Sequence, residues 1–290
     1  MRLLLTFPGG LSLAQRRSCI YAKGSDYPDG LSAAPAAVEE GAPVLLTTSS
    51  VLGPAVKAEI QRLKPERIMV VGGTDAVTPT LFAQLQNLAN IVVRLDGADR
   101  YITSRVVVDH AFDSASTAYV VTGQGFPDAL AASQAGGAIG APVILVNGTL
   151  PTLDKSTRDL LVSLRVTKIK IAGGPSSVSP GIERALRTIA PVTRLGGADR
   201  FITSDKVNRD AFTASTHVYL ATGYDFPDGL AGAAGAGKEL APLFLVKTTC
   251  IPSYVIATIA SLGATRVTLL GGPAALTQAV KNFTPCTTTE

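Results

Sequence analysis

The sequence predicts an α/β fold of three tandem modules, each built on a small parallel sheet. Two observations carry that prediction. Several motifs return at a spacing of about 100 residues, the scale of one domain. Within each repeat, short apolar runs alternate with helical patterns and are closed by glycines. Gly97-Ala98-Asp99-Arg100-Tyr101-Ile102-Thr103-Ser104 returns as Gly197-Ala198-Asp199-Arg200-Phe201-Ile202-Thr203-Ser204, changed only at the aromatic. Phe126-Pro127-Asp128-Ala129-Leu130-Ala131 returns as Phe226-Pro227-Asp228-Gly229-Leu230-Ala231, with an earlier copy at Tyr27-Pro28-Asp29-Gly30-Leu31-Ser32. Gly72-Gly73, Gly173-Gly174 and Gly271-Gly272 mark one further register, and Pro43, Pro142 and Pro242 another. The units are read as 1–93, 94–193 and 194–290.

The middle unit is the clearest. Ala118 to Thr122 is a β-rich run ended by Gly123, and it predicts a buried strand. Pro127 suits the first position of a helix, where its missing N–H is not needed. Asp128 follows in the first turn, where the helix dipole favours a carboxylate. The helix continues through Ala129 to Gly140, and its small residues imply close approach to a neighbour. Pro142-Val143-Ile144-Leu145-Val146 is continuously apolar, as parallel strands covered on both faces are. Thr152 to Leu164 reads as a helix, Ile169 to Ala172 as a strand closed by Gly173-Gly174, and Pro180 to Ile189 as a helix capped by Ser179. Val192 to Leu195 leads into the next Gly-Ala-Asp-Arg motif. Val44 to Leu46 and Leu243 to Val246 repeat the second strand; Ile68 to Val71 and Val267 to Leu270 repeat the third.

Composition narrows the function. Of the 290 residues 46% are hydrophobic, enough to build buried cores, and 17% are charged. A net charge of +4 is too small to indicate nucleic-acid binding. Tryptophan is absent and aromatics are 6%, a poor supply for a base- or sugar-stacking platform. No apolar run is long enough to insert into a membrane. The apolar start at Leu3-Leu4-Leu5 is cut by Pro8 and two glycines, a poor signal peptide. Cys19, Cys250 and Cys286 lack metal-ligand spacing, and no metal site or cofactor is expected. Cys250 and Cys286 both fall in the last unit. They are either a disulfide of an exported protein or two buried thiols.

Taken together, these motifs resemble the type-2 cell-wall-binding repeat family of Gram-positive surface proteins. The matching pieces are Arg-Leu-x-Gly-x-Asp-Arg-[Tyr/Phe]-x-Thr, a strand ending Thr-Gly, Phe-Pro-Asp-[Ala/Gly]-Leu-Ala, Ala-Pro with an apolar run, and a strand ending Gly-Gly. They occur in fixed order over essentially the whole chain. The resemblance implies Rossmann-like modules packed with pseudo-threefold symmetry. It also implies non-covalent attachment to an anionic wall polymer, a teichoic-acid-like chain or secondary wall polysaccharide, by a protein at the cell surface. The first unit departs from the pattern. It lacks Asp-Arg, and Met1 to Ser18 does not match the helix expected there, which points to a late start, a truncated gene or a degenerate unit. The unequal first and last units leave self-association open.

The candidate ligand residues are Asp99, Arg100, Asp199 and Arg200, then Thr122, Phe126, Asp128, Thr222, Phe226 and Asp228, and Asp29 in the first unit. Arginine suits recognition of phosphate or carboxylate, since its planar fork donates two parallel bonds. The alternative is an internal ion pair within each unit, Arg100 with Asp128 and Arg200 with Asp228. The Phe-Pro-Asp turn is either a plain strand-to-helix turn or the lip of a groove. The Gly-Gly loops suit a phosphate cradle, but no Walker lysine follows them. His110 and His217 stand outside the repeated set and read as surface residues. No catalytic motif appears, so the chain reads as a non-catalytic binding protein. The alternatives are an α/β enzyme acting on a nucleotide or sugar phosphate, or a structural surface-layer protein.

Overall fold

The computed structural model describes residues 18–24 and 28–287. The stretch 1–17 lies outside the described residues, and so does the side chain of Asp29. The first unit runs β1 (Ser18–Lys23), α1 (Pro28–Leu31), α2 (Ala33–Glu39), β2 (Val44–Thr47), α3 (Pro54–Leu63), β3 (Arg67–Val71), α4 (Pro79–Gln86) and β4 (Ile91–Leu95). The second runs α5 (Arg100–Ala111), β5 (Thr117–Thr122), α6 (Pro127–Ile139), β6 (Val143–Val146), α7 (Lys155–Ser163), β7 (Lys168–Ala172), α8 (Pro180–Leu186) and β8 (Val192–Leu195). The third runs α9 (Arg200–Ala211), β9 (His217–Thr222), α10 (Pro227–Lys238), β10 (Leu243–Val246), α11 (Ser253–Ser261), β11 (Arg266–Leu270) and α12 (Gln278–Lys281).

The sheets are parallel, in the orders β2-β1-β3-β4, β6-β5-β7-β8 and β10-β9-β11. The three α/β modules are therefore present as expected. Val192 to Leu195 is more than a connection: as β8 it pairs with β7, Ala172 opposite Leu195. Strands β4 and β8 run across positions 93/94 and 193/194. The helix expected from Thr152 begins instead at Lys155, because Asp154 caps it by accepting from Thr157 N at 2.9 Å. The helix expected to reach Ile189 ends at Leu186.

The small-residue helices form the centre. In α6 every residue from Ala129 to Gly137 is buried, so no face of this stretch meets water. α2, α6 and α10 pack on one another, one from each unit. At the axis Val38, Gly137 and Gly237 meet at equivalent positions: a Cβ added to Gly137 would lie 2.9 Å from Val38 Cγ2 and 3.6 Å from Gly237 Cα. Higher up, Leu230 packs on Gly30 and Leu130 on Gly229, so each leucine fills the space left by a neighbour's missing side chain. Two buried polar residues lock the arrangement. Ser133 reaches the carbonyl of Leu31 at 2.5 Å, and Gln134 donates to the carbonyl of Ala241 at 2.6 Å, both across unit boundaries.

Helices α5 and α9 pack on β6 and β10. Ser104 accepts from Leu145 N at 2.9 Å and Ser204 from Leu245 N at 3.0 Å, which fastens each helix to its strand. Cys250 and Cys286 form a disulfide that ties the last residues to the start of α11. Cys19 is a buried thiol, its pKa pushed up to about 12 by desolvation.

Two stability outcomes follow from this packing. Gly137→Leu forces a branched side chain against stiff Val38, and chemical denaturation should show a loss of about 1–3 kcal/mol. Reduction of the disulfide, which closes a loop of sequence separation 36, should lower stability by roughly 3–4 kcal/mol on the loop-entropy model. Thermal melts with and without dithiothreitol measure it, and the double variant Cys250→Ser, Cys286→Ser should melt like the reduced protein.

Candidate binding cleft between units

In the second sheet the chain leaves β5 toward β6 on one side and returns past β5 to β7 on the other. The crevice beyond the carboxyl ends of β5 and β7 is where open parallel sheets hold ligands. A cleft of about 250 Å³ opens there. Its lining comes from three strand ends: Thr122, Gly125, Pro127 and Asp128 after β5, Gly174, Ser176 and Ser177 after β7, and Gly197 to Arg200 with Thr203 after β8.

Each motif has a local physical reason. Asp99 and Asp199 are helix N-caps: Asp99 Oδ1 accepts from Tyr101 N and Ile102 N at 2.9 and 2.8 Å, and Asp199 Oδ1 from Ile202 N at 2.8 Å. Gly97 N and Gly197 N each donate to the hydroxyl of the following Thr103 or Thr203 at 3.1 Å. Arg100 Nη1 donates to the carbonyl of Gly123 at 2.7 Å, and Arg200 Nη1 to that of Gly223 at 2.6 Å. Those glycines must lack a side chain, since a Cβ on Gly123 would sit 2.7 Å from Tyr101 Cε1, and one on Gly223 2.6 Å from Phe201 Cε1. The Thr-Gly and Asp-Arg motifs of one unit therefore interlock. Thr122 and Thr222 are buried, and their hydroxyls accept from Gln124 N and Tyr224 N, holding the turn after the strand.

The expected ion pairs inside each unit are not the arrangement found. Asp128 accepts from Ser177 Oγ at 3.0 Å and from Thr203 and lies in the field of the Arg200 charge, so its partners include residues of the following unit. The reason is the handover at β8: this strand completes the second sheet, and the Gly-Ala-Asp-Arg motif after it then starts the third unit. Burial pushes the Asp128 carboxyl above its ordinary value, and the hydrogen bonds from Ser177 and Thr203 and the charge of Arg200 only partly offset this. Gly173, at φ +116°, lets Asp128 approach; a Cβ there would be 2.6 Å from Asp128 Oδ2. Asp228 stands beside Gly271 in the same way, and it too is raised, by burial and by the nearby charge of Asp225.

Aromatic rings frame the cleft arginine. The Arg200 guanidinium carbon lies 5.9 Å from the Phe126 ring centre and 6.0 Å from that of Tyr224. Phe126 and Phe226 meet at 5.8 Å. Arg200 is thus held by rings from two units, at the distance where cation–π attraction operates.

A second pair of arginines was not singled out in the sequence. Arg94 Nη1 reaches the carbonyls of Gly72 and Gly73 at 2.7 and 2.9 Å, and its Nη2 reaches that of Val77 at 2.8 Å. Arg194 does the same to Gly173, Gly174 and Val178 and also pairs with Glu183 at 2.7 Å. The signal was the Arg-Leu-x-Gly repeat itself. The first N–H of each of these loops is also engaged, Gly72 N with Leu95 O and Gly173 N with Leu195 O. These loops are strapped to the neighbouring strand, which weakens the phosphate-cradle reading.

His217 corrects its reading as a surface residue. It is 8% exposed, with Nδ1 2.8 Å from Glu239 Oε2 and Nε2 2.8 Å from Thr268 Oγ1. Strand β9 carries it into the base of the third sheet, where Glu239 and Arg266 meet it. His110 is exposed.

Known proteins place this architecture. The chain is 27% identical to N-acetylmuramoyl-L-alanine amidase LytC of Bacillus subtilis over 259 residues, 89% of this chain and 51% of that protein. Cwp8 from Clostridium difficile superposes with a TM-score of 0.84 at 28% identity, over 93% of this chain and 47% of that one. Cwp6 from the same organism superposes with a TM-score of 0.83 at 24% identity, over 92% and 44%, and speaks for the fold. The chain thus spans about half the length of these relatives. The family model for Cell wall binding domain 2 matches residues 10–82, 94–183 and 194–281, one segment per unit, and the chain belongs to that family.

Proposed function

We propose that the chain is a non-catalytic anchor at the cell surface that binds an anionic wall polymer in clefts at the seams between units. The observation that carries this reading is the cleft holding Arg200, Asp128, Ser177 and Thr203, which two consecutive units build together. Arginine has five N–H donors in a fixed plane, and Arg200 engages one nitrogen with Gly223 while its guanidinium borders the cleft. A phosphate or carboxylate on the polymer would meet the guanidinium there, while the Ser177 and Thr203 hydroxyls are turned to Asp128. Arg100 and Asp99 hold the corresponding place after β4. Weak contacts repeated along a polymer gain avidity through linkage, which suits a repetitive ligand to repeated seams.

Two outcomes test this. In sedimentation on isolated Gram-positive walls, the chain should bind, and mild acid stripping of anionic polymers should abolish binding. Arg100→Ala with Arg200→Ala should weaken binding by about tenfold or more, since a hydrogen bond to a charged group contributes ~1.5–3 kcal/mol. Circular dichroism should show the double variant still folded. A folded variant that binds as before removes the arginines from the site.

The second outcome concerns pH. Asp128 puts a negative charge beside the proposed anion site, and its pKa is raised by burial. Its charge is therefore lost as pH falls through a window above the ordinary aspartate value of about 3.9. Binding should strengthen in that window as the carboxyl is neutralised. Asp128→Asn should bind more tightly at pH 7 and lose that part of the pH dependence. The same sign holds for stability: the folded state binds more protons in the window, so wild-type stability falls as pH rises through it, and the Asn variant is spared.

A further inference from the structure

The turns after β5 and β9 are built alike and differ at one position. Each runs from a glycine whose carbonyl accepts from an arginine, Gly123 from Arg100 and Gly223 from Arg200, to a Phe-Pro-Asp helix start. The residue after that glycine is Gln124 in the second unit and Tyr224 in the third. Gln124 is polar and donates to Asn147 Oδ1 at 3.1 Å. Tyr224 instead holds a large ring at the surface, 56% exposed. The ring is not loose. It packs edge-on against Phe201, with centroids 5.6 Å apart and planes at 75°, and the Tyr224 amide donates to Thr222 Oγ1 at 3.3 Å. The ring is therefore seated on one side while more than half of the residue meets water.

This ring stands beside the cation that borders the cleft. The Arg200 guanidinium carbon is 6.0 Å from its centre, and Arg200 lines the cleft between the second and third units. A tyrosine next to an arginine is a pairing that concentrates binding energy in interfaces, because the ring offers wide contact area with few torsions to freeze. The two groups together suit a ligand with two neighbouring parts: an anion for the guanidinium and a flat C–H face for the ring. A sugar ring presents such a face, and an open polyol chain does not. We propose that Tyr224 is a specificity-determining residue of this cleft, stacking on a sugar ring that carries the anion held by Arg200. The inference rests on the anionic-polymer reading of the cleft and adds a choice to it. Glycosyl phosphate or uronate units are taken in preference to bare polyol phosphate. Aromatics at 6% supply no extended platform, but one ring suffices for one sugar. Gln124 offers no such face, so the preference belongs to the third unit's turn.

The probes are glucose 1-phosphate and glycerol 3-phosphate, each titrated into the full chain and followed by NMR. Both carry one phosphate monoester, and they differ in the ring. Glucose 1-phosphate should bind about fivefold more tightly, the order of one aromatic contact, and should shift the Tyr224 ring resonances. Tyr224→Ala and Tyr224→Gln alter an exposed position, so both should fold as the wild type does and bind the two probes equally. Tyr224→Phe should keep the preference, and Arg200→Ala should weaken both probes together. Two results overturn the stacking role while leaving the anion site standing: equal, Arg200-dependent binding of the two probes by the wild type, or an unchanged preference in Tyr224→Ala. Binding of neither probe, or binding that Arg200→Ala leaves intact, removes the anion site and the stacking role with it.

Discussion

The contact of three small-residue helices at the axis is the constraint on which the rest depends. Packing of α2, α6 and α10 this closely requires glycine or alanine where the backbones cross, and Val38, Gly137 and Gly237 show how little room remains. An interior packed to crystal-like density transmits such a limit outward. With the helices fixed, each sheet can only face away from the axis. The loops at the carboxyl ends of β5, β7 and β8 then meet at the cleft between the second and third units. The seam cleft is a consequence of the axis, not a separate construction.

Arginine is the second organising element, and it does two different things. Arg94 and Arg194 stand one strand earlier and strap the glycine loops by their carbonyls. Arg100 and Arg200 start helices and hold the turn after the strand that follows each helix, while Arg200 also borders the cleft. A guanidinium suits both tasks because several donors lie in one plane and remain charged when partly desolvated. In Arg200 one nitrogen is bound to the Gly223 carbonyl, and the same residue lines the cleft.

The handover between units explains why the expected ion pairs failed. A unit counted along the sequence is not a unit counted in space. The strand that completes one sheet is followed directly by the helix that opens the next module. Asp128 consequently meets Thr203 and the charge of Arg200, residues about seventy positions further on that the repeat assigns to its neighbour.

The repeats, the continuously apolar strands and the Pro-Asp helix starts were legible from local rules. Period, hydrophobic run and capping chemistry are properties of neighbouring residues, and they specified an α/β chain of three modules. The small residues of α6 also announced a close approach, though not to what. Tertiary structure alone decided which unit each polar group serves. It joined Asp128 to the next unit, turned the Arg of Arg-Leu-x-Gly into a strap, and buried His217 against Glu239. Those outcomes depend on which strand ends the parallel topology sets side by side, and a one-dimensional pattern does not contain that adjacency.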